Sequence, residues 1–362
     1  DHFGLRLRHH GHPPSRGERR IGSQCWTRRG LVESLSLAMA GLFLAVGFSQ
    51  AAVAAGEIGL RVAIISDLNG SYGTVGTSRH VDAAIDRLID LEPDLVLCTG
   101  DMIAGQKHAP RLDRQRLEAM WRAFHEQVTD PLARAGIPFA PVPGNHDASE
   151  EEAFNLERKV FEEQWIGRAP AVRFIDRDHF PFRYAFSMGD ALFLALDATR
   201  VRPLPPAQLT WLQKLLNEPG DHFESRVVFG HLPNWPVAVG REKEYLGDHE
   251  FEAVLRKGSA SLYLSGHHHA FYPGVHGGVL YISQAALGSG PRRLIGQSDP
   301  SPRAITLLTF GADGSLEVEA FAGSDFSTPI VWHTLPSSIR HEDFELIRRD
   351  LATGSKPGPG SP

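Results

Sequence analysis

Residues 139–147 read Phe-Ala-Pro-Val-Pro-Gly-Asn-His-Asp, an apolar run that turns at a glycine into three polar side chains. Four other apolar runs along the chain also end in polar residues that can bind a metal ion. The polar groups after these runs are Asp67-Leu68-Asn69, Asp101, His231 and His267-His268-His269. A glycine directly precedes the polar group in every stretch except the one at Asp67, and a glycine lets the chain turn sharply off a strand.

The segments between the apolar runs have the spacing of amphipathic helices. Val81, Ile85 and Leu88 recur at helical spacing between the first two runs. Ser149 with Glu152 forms a capping box, which predicts the start of a later helix. Strands that alternate with helices are typical of an α/β fold with much parallel sheet, and the closer spacing of the last runs predicts antiparallel pairing there.

The polar residues at the strand ends predict a metal site. Open α/β sheets bind ligands beyond the carboxyl ends of their strands, so these side chains are expected to lie together at one edge. Carboxylate, amide oxygen and imidazole suit Mn, Fe or Zn rather than a soft thiolate-bound metal. Two such ions about 3.5–4 Å apart can hold a phosphoryl group and activate a bridging hydroxide. One carboxylate must then lie between the two ions.

The five stretches resemble the calcineurin-like metallophosphoesterase family, whose pattern is D-x-H, G-D, G-N-H-D/E, G-H and G-H-x-H. The resemblance extends from Asp67 to His269 with the motifs in the same order. It implies an α/β fold in which two mixed sheets form a β-sandwich flanked by helices. It also implies a phosphatase or phosphodiesterase that hydrolyses small phosphorylated substrates, using two divalent or trivalent Mn, Fe or Zn ions and a metal-bound hydroxide.

The resemblance also implies a role for each motif residue. Asp101 bridges the two ions, and His146 lies beside the phosphate and assists the leaving group. The remaining ligands form two sets, namely Asp67, Asn69 and His269 for the first ion, and Asn145, His231 and His267 for the second.

The sequence departs from the family pattern at two positions. Asn69 stands where the family usually has histidine, and an amide oxygen is a weaker donor than imidazole. As part of the turn sequence Asn-Gly-Ser, Asn69 also has an alternative interpretation as an ordinary loop residue. Ala104 stands where purple acid phosphatases have tyrosine, which disfavours that variant.

Two alternative interpretations remain open. Asn and Asp at strand ends often cap the following helix without binding metal, although five motifs in order disfavour this for the whole set. At the level of function, the alternative is a metal-poor, non-catalytic protein that binds a phosphate-containing ligand on the same fold. The loops after the last two motifs also contain basic residues that could bind a substrate anion, namely Arg241, Lys243, Arg292 and Arg293.

The ends of the chain differ from the middle in composition. Arg28 and Arg29, the apolar segment 35–48 and the small-x-small sequence 52–54 have the order of an export signal. We therefore expect residues 1–55 to be an N-terminal extension with a cleaved signal peptide, and the protein to be periplasmic or secreted, with the twin-arginine route as one alternative. We expect no stable membrane anchor, because the apolar segment is shorter than the roughly 20 residues of a membrane span.

The middle of the chain is predicted to be one metallophosphoesterase domain at residues 57–322. Residues 323–362 are predicted to be a C-terminal tail with a disordered end, since the last residues are rich in Gly, Ser and Pro. The net charge of −6 disfavours bulk nucleic-acid binding. Cys98 lies inside an apolar run and is predicted to be a buried hydrophobic residue.

Overall fold

The computed structural model of the chain describes residues 59–218 and 223–352. The predicted export signal and the last ten residues of the predicted tail lie outside the described residues. Within the described ranges, no helix combines the length and the hydropathy that a membrane span requires.

Strands and helices alternate as expected between residues 60 and 166, and three strands then follow one another before the next helix. The strands of the described residues are β1 Leu60–Ile65, β2 Leu95–Cys98, β3 Phe139–Pro141, β4 Arg173–His179, β5 Arg183–Met188, β6 Ala191–Ala195, β7 Ser225–Phe229, β8 Leu262–Ser265, β9 Tyr272–His276, β10 Val279–Ser283, β11 Ile305–Phe310, β12 Leu316–Ala322, β13 Thr328–Pro329, β14 Ser338–His341 and β15 Phe344–Arg348. The α-helices are α1 Arg79–Leu91, α2 Arg114–Phe124, α3 Asp130–Arg134, α4 Asn145–Ala148, α5 Asn155–Ile166, α6 Pro206–Leu216 and α7 His249–Lys257.

The strands form two mixed sheets. The first has the order β13-β12-β11-β1-β2-β3, and the second has the order β14-β15-β9-β10-β8-β7-β6-β5-β4. Strands β1, β2 and β3 pair in parallel, as do β6, β7, β8 and β10, whereas the outer strands pair antiparallel. The predicted α/β fold with two mixed sheets flanked by helices is confirmed.

Burial explains why these segments form strands and helices. Strand β2 is buried along its whole length, as a central strand covered on both faces should be. The predicted face of α1 packs inward through Val81, Ile85 and Leu88, which are almost fully buried. Cys98 is a free, buried thiol at the end of β2, as predicted.

The helix predicted from a capping box begins later than expected. A single 3₁₀ turn covers Glu152–Phe154, and α5 begins only at Asn155. The hydroxyl of Ser149 instead accepts a hydrogen bond from the amide of Glu151, at 3.2 Å. The polar residues 145–148 already form the short helix α4, so Ser149 follows the end of that helix instead of capping the next one.

The domain extends beyond the predicted boundary at residue 322. Strand β13 adds to the edge of the first sheet, and the hairpin β14–β15 adds to the second sheet through β9. Ile339 and Leu346 of this hairpin are almost fully buried. The segment is therefore part of the folded domain, and it looks polar in sequence because each of its short strands buries only one face.

Candidate metal centre

The polar residues meet because five strand ends lie at the same edge of the two sheets. The amide of Asp67, after β1, donates to the carbonyl of Gly100, after β2, at 3.0 Å. The amide of Gly266, after β8, donates to the carbonyl of His231, after β7, at 2.9 Å. These backbone bonds hold the neighbouring turns together and so determine where their side chains point.

Four of the predicted ligands have a left-handed backbone. The φ angles of Asp67, Asp101, His267 and His269 lie between 52° and 63°. This region is unfavourable for residues with a Cβ atom and is concentrated at functional sites, where the surrounding structure imposes it. The surrounding structure therefore holds four of the predicted ligands in a backbone conformation that is uncommon for residues with a side chain.

Two glycines allow the turns to approach so closely. A methyl group at Gly144 would overlap the amide nitrogen and a carboxylate oxygen of Asp101. A methyl group at Gly266 would overlap the hydroxyl of Ser66 and approach the carboxylate of Asp67. Larger residues at these positions would push the strand ends apart.

The first cluster of donor atoms surrounds Asp101. Asp101, His231 and His267 are buried, and each offers a ligand atom that lies within 4.8 Å of the other two. The Nε2 atom of His231 lies 3.3 Å from Oδ2 of Asp101 and 2.9 Å from Oδ1 of Asn145. Donor atoms that share one ion at about 2.1 Å and at right angles lie about 3 Å apart, so the cluster has the spacing of a metal site.

The hydrogen bonds of His231 indicate that this cluster favours a positive charge at the ring, from either a proton or a metal ion. Its Nδ1 atom faces the carbonyl of Thr99 at 2.8 Å, and its Nε2 atom faces the oxygens of Asn145 and Asp101, with no further hydrogen-bond partner among the residues that the structure describes. A neutral imidazole has a single N–H, so only a proton or a metal ion can satisfy the second nitrogen. Burial alone would lower the pKa of His231, but the carboxylate of Asp101 raises that pKa to about 9.

The same interaction also changes the pKa of Asp101. Burial alone would raise the pKa of its carboxyl, but the positive charges of His231 and His146 hold that pKa well below its usual range. A buried carboxylate that stays ionised next to two imidazoles is a strong ligand for a metal ion.

A second pair of donors lies beside the first cluster. Nε2 of His269 lies 3.2 Å from Oδ1 of Asp67, while its Nδ1 faces the carbonyl of Gly290 at 2.8 Å. The ring again faces oxygen acceptors on both sides, which favours a cation at Nε2. The two clusters are joined through the amide of His267, which donates to Oδ2 of Asp67 at 3.1 Å.

Asn69 differs from the other predicted ligands. Its side-chain oxygen accepts a hydrogen bond from the hydroxyl of Ser289, and its backbone amide donates to the carbonyl of Asp101 at 3.1 Å. Among the described residues, no hydrogen bond joins the Asn69 side chain to another predicted ligand. The contact with Ser289 supports the interpretation of Asn69 as a loop residue.

His146 lies next to the donor atoms without joining them directly. Its backbone amide donates to Oδ1 of Asp101 at 2.8 Å, and its Nε2 lies 3.8 Å from Oδ2 of the same carboxylate. Its Nδ1 lies 3.0 Å from the carbonyl of Gly105, and the ring of Tyr72 packs beside it at 5.1 Å between centroids. The side chain is 15% exposed and borders a cleft.

Two neighbouring residues that carry no predicted role have structural contacts. His268 is fully buried and accepts from the amide of Val237 at 3.1 Å, while its Nε2 faces the carbonyl of Glu244. Asp147 accepts backbone hydrogen bonds from the turn after β2 and from the amide of Gly144 at 2.9 Å. Asp147 therefore links the second and third motifs.

A cleft of about 320 Å³ opens onto His146 and His267. Arg241 and Arg200 line it, and Arg241 forms an ion pair with Glu244. Of the four basic residues suggested by the sequence, Arg241 alone is among the residues that line this cleft. The complete lining is Tyr72, Gln106, Asn145, His146, Glu151, Thr199, Arg200, Val201, Leu232, Arg241, Glu244 and His267.

The sequence analysis missed two site residues. Glu244 accepts from Nε2 of His267 at 3.0 Å, which leaves Nδ1 of that ring free to bind metal. Gln106 accepts from the side-chain amide of Asn145 at 2.7 Å. Neither residue belongs to a motif, and only their contacts in the folded chain reveal their role.

The comparisons with known proteins agree with this site. The family model of the calcineurin-like phosphoesterases matches residues 60–271, which contain all five motifs. The chain is 25% identical over 246 residues to Purple acid phosphatase 15 of Arabidopsis thaliana, covering 58% of this chain and 40% of the relative. It is 28% identical over 151 residues to the Probable glycerophosphodiester phosphodiesterase GpdQ of Arcobacter nitrofigilis, covering 42% and 45%. The chain thus spans less than half the length of these two curated relatives.

Solved structures share the fold. Purple acid phosphatase PPD1 from yellow lupin aligns with a TM-score of 0.56 and 17% identity, over 75% of this chain and 53% of that one. A dimetal phosphatase from Danio rerio aligns with a TM-score of 0.50 and 16% identity, over 76% of this chain and 98% of that one. Since the family model covers more than half of this sequence, the chain belongs to the calcineurin-like phosphoesterase family.

Proposed function

We propose that this protein is a metal-dependent phosphoester hydrolase, a phosphatase or phosphodiesterase with two metal ions. The observation that carries the proposal is the pair of histidines, His231 and His269, because Nε2 of each ring lies within 3.3 Å of a buried carboxylate oxygen, and Nε2 of His231 also lies 2.9 Å from the amide oxygen of Asn145. Two adjacent clusters therefore each favour a positive charge at a histidine ring nitrogen, which a bound metal ion would supply. The names of the curated relatives, a phosphatase and a phosphodiesterase, support the same reaction class.

The proposed ligands follow from the two clusters. Asp101, Asn145, His231 and His267 would hold one ion, and Asp67 and His269 would hold the other, with Asp101 as the proposed shared ligand. Asn69 is the remaining proposed ligand of the Asp67 and His269 set, and it would have to give up its contact with Ser289 to bind. When bound, two metal ions neutralise charge on a phosphoryl group and acidify a water molecule.

The residues of the cleft have separate tasks in this proposal. His146 donates a proton to the leaving oxygen, because its ring lies beside the donor atoms and faces the cleft. Arg241 attracts the phosphoryl oxygens, and its ion pair with Glu244 holds the guanidinium at the cleft. The exposed side chains Tyr72 and Val201 line the same cleft and offer apolar surface to the organic part of the ester.

One observation favours a second candidate function. If the Ser289 contact holds the Asn69 amide away from a metal ion, the Asp67 and His269 pair has too few ligands for tight binding. The protein would then hold a single ion and bind a phosphate-containing ligand without hydrolysing it.

A panel of phosphomonoesters, phosphodiesters and nucleotides, assayed with Mn, Zn and Fe, tests the proposal. We expect metal-dependent hydrolysis that falls by more than about 100-fold in Asp101→Asn, together with loss of bound metal, because Asp101 would be a ligand of both ions. Asp113→Asn, which removes a carboxylate from the cap of α2, is the matched control.

The possible outcomes separate the two candidate functions. Two bound ions with turnover support the hydrolase. One bound ion and no turnover of any ester favours the binding protein, and normal turnover in Asp101→Asn would show that the bridging assignment is wrong.

A further inference from the structure

The side chain of Asn145 has a defined orientation in the metal centre. Its oxygen Oδ1 lies 2.9 Å from Nε2 of His231, on the side of the donor cluster. Its nitrogen Nδ2 points the other way and donates to Oε1 of Gln106 at 2.7 Å. The amide is therefore held at both ends by different partners.

This orientation matters because the two ends of an amide have opposite polarity. Only the oxygen can bind a cation, whereas the NH₂ group would present hydrogens with partial positive charge. A half-turn of the amide exchanges the two ends with almost no change of shape. An acceptor at Nδ2 therefore selects the orientation that binds metal, and Gln106 provides that acceptor.

The backbone of Gln106 is held firmly. Its backbone amide donates to Oε2 of Glu157 in α5 at 2.7 Å, and Glu157 is 4% exposed. Gln106 has a φ of 59°, a left-handed conformation that is uncommon for a residue with a side chain. A single buried carboxylate from a neighbouring helix thus fixes the turn that carries the acceptor.

The residue before Gln106 ties the same turn to His146. A methyl group at Gly105 would overlap the carbonyl of His146 and lie 2.7 Å from Oε2 of Glu157. The carbonyl of Gly105 lies 3.0 Å from Nδ1 of His146. Residues 105 and 106 therefore lie between α5 and the third motif, in contact with Asn145 and His146 of that motif.

We propose that Gln106 is a positioning residue of the metal centre, which selects the metal-binding orientation of the Asn145 amide and is clamped by Glu157. The inference rests on the proposed function only in so far as Asn145 binds a metal ion. It assigns Gln106 no contact with the reacting atoms. A merely structural role would stabilise the turn without affecting how tightly metal binds.

Titration calorimetry of the full chain with Mn²⁺, repeated with Zn²⁺, tests this inference. We expect Gln106→Leu to lower the affinity of the Asp101 cluster by about 10–100-fold, the usual effect of losing a residue that orients a ligand. Gln106→Glu keeps an acceptor at the same distance and should restore most of the affinity. Gln127→Leu is the matched control, because Gln127 accepts from the amide of Thr77 in another loop.

Repeating the test in the Asn145→Asp variant separates an effect on the orientation of the residue 145 side chain from an effect on the stability of the fold. In Asn145→Asp both ends of the side chain are oxygen, so there is no wrong orientation to exclude. In that background, Gln106→Leu should change the metal affinity by less than about 3-fold. Thermal unfolding of the metal-free variants records any structural effect separately.

Each outcome decides a different question. Equal affinities for the parent protein and Gln106→Leu would overturn the inference, as would an equal loss in the Asn145→Asp background or in Gln127→Leu. A parent protein that binds Mn²⁺ without hydrolysing any ester contradicts the proposed function alone, because this test measures binding. A parent that binds neither ion contradicts both.

Discussion

His146 illustrates at the scale of one residue how the turn after β3 combines binding and catalysis. It directly follows the proposed ligand Asn145, and its amide holds Asp101 while its ring faces the cleft. The backbone of this residue thus orients a ligand, and its side chain is available to the substrate. The two contributions can be separated experimentally because truncating the ring leaves the backbone bond in place.

We expect His146→Ala to retain its metal content but to lose about 10²–10⁴-fold in turnover of esters with basic leaving groups, since such groups need a proton. The loss should be smaller for nitrophenyl esters, whose leaving group departs without one. Steady-state kinetics on both ester classes, with metal analysis, measures this, and His333→Ala on the exposed 3₁₀ turn is the control. Equal losses for both classes would indicate phosphate binding instead, and loss of metal would make His146 a ligand.

At the scale of elements, the short helix α4 and the turn at 104–106 depend on the neighbouring helix α5. Glu157 of α5 is the contact that makes this dependence strong, because a buried carboxyl accepts the amide of Gln106. Burial raises the pKa of Glu157 to about 7, although the Gln106 hydrogen bond and the charge of Arg111 act in the opposite direction. The packing of this helix should therefore depend on pH.

The sign of that dependence follows from the raised pKa. The folded protein binds the Glu157 proton more tightly than the unfolded chain does, and this difference stabilises the folded state. The stabilisation is complete below the unfolded pKa of about 4.3 and is lost as the pH rises to about 7. The parent loses this stabilisation between pH 5 and pH 8, whereas Glu157→Gln has no proton to lose. The unfolding free energy of Glu157→Gln should therefore rise by about 1–2 kcal/mol relative to that of the parent over this pH range. Urea denaturation at both pH values, with exposed Glu162→Gln as the control, measures the difference. If the difference in unfolding free energy between parent and variant is the same at pH 5 and pH 8, the pKa of Glu157 is not raised.

At the scale of the whole molecule, the hairpin β14–β15 completes one edge of the second sheet. Phe344 stacks on Trp235 with 5.0 Å between ring centroids, and Tyr272 of β9 donates to the carbonyl of Leu346 at 3.3 Å. Trp235 lies four residues after His231, so the hairpin packs against the segment that follows one of the proposed ligands.

Two adjacent positions in β15 test whether this hairpin belongs to the core. Leu346 is 1% exposed and Ile347 is 40% exposed, because successive side chains of a strand point to opposite faces. Leu346→Ala should cost about 2–5 kcal/mol of unfolding free energy, and Ile347→Ala should change it by less than about 1 kcal/mol. Thermal or urea unfolding of both variants decides this, and similar small effects would mean that the hairpin packs only loosely.

Local sequence accounts for much of the fold because the periodicity of apolar residues indicates which face of a helix or strand is buried. The apolar run of β2 and the helical repeat at Val81, Ile85 and Leu88 were sufficient to predict their elements. Where the local signal was ambiguous, the prediction was wrong, as at the start of α5. The predicted boundary at residue 322 was also wrong. Strands such as β15 bury only one face, so their sequence looks polar when the sheet that they join is not known.

For the metal centre, the sequence by itself determined the donor types, their order and their position at strand ends, since parallel strands bring their carboxyl ends to one edge. The export signal, the metal ligands and the identity of the ions stay predictions. Only the tertiary structure decided the pairings between distant residues. Gln106 meets Asn145 and Glu157 across 39 and 51 residues, and Glu244 meets His267 across 23. Such contacts leave no periodic signal, because they depend on how whole elements pack rather than on the spacing of neighbours along the chain.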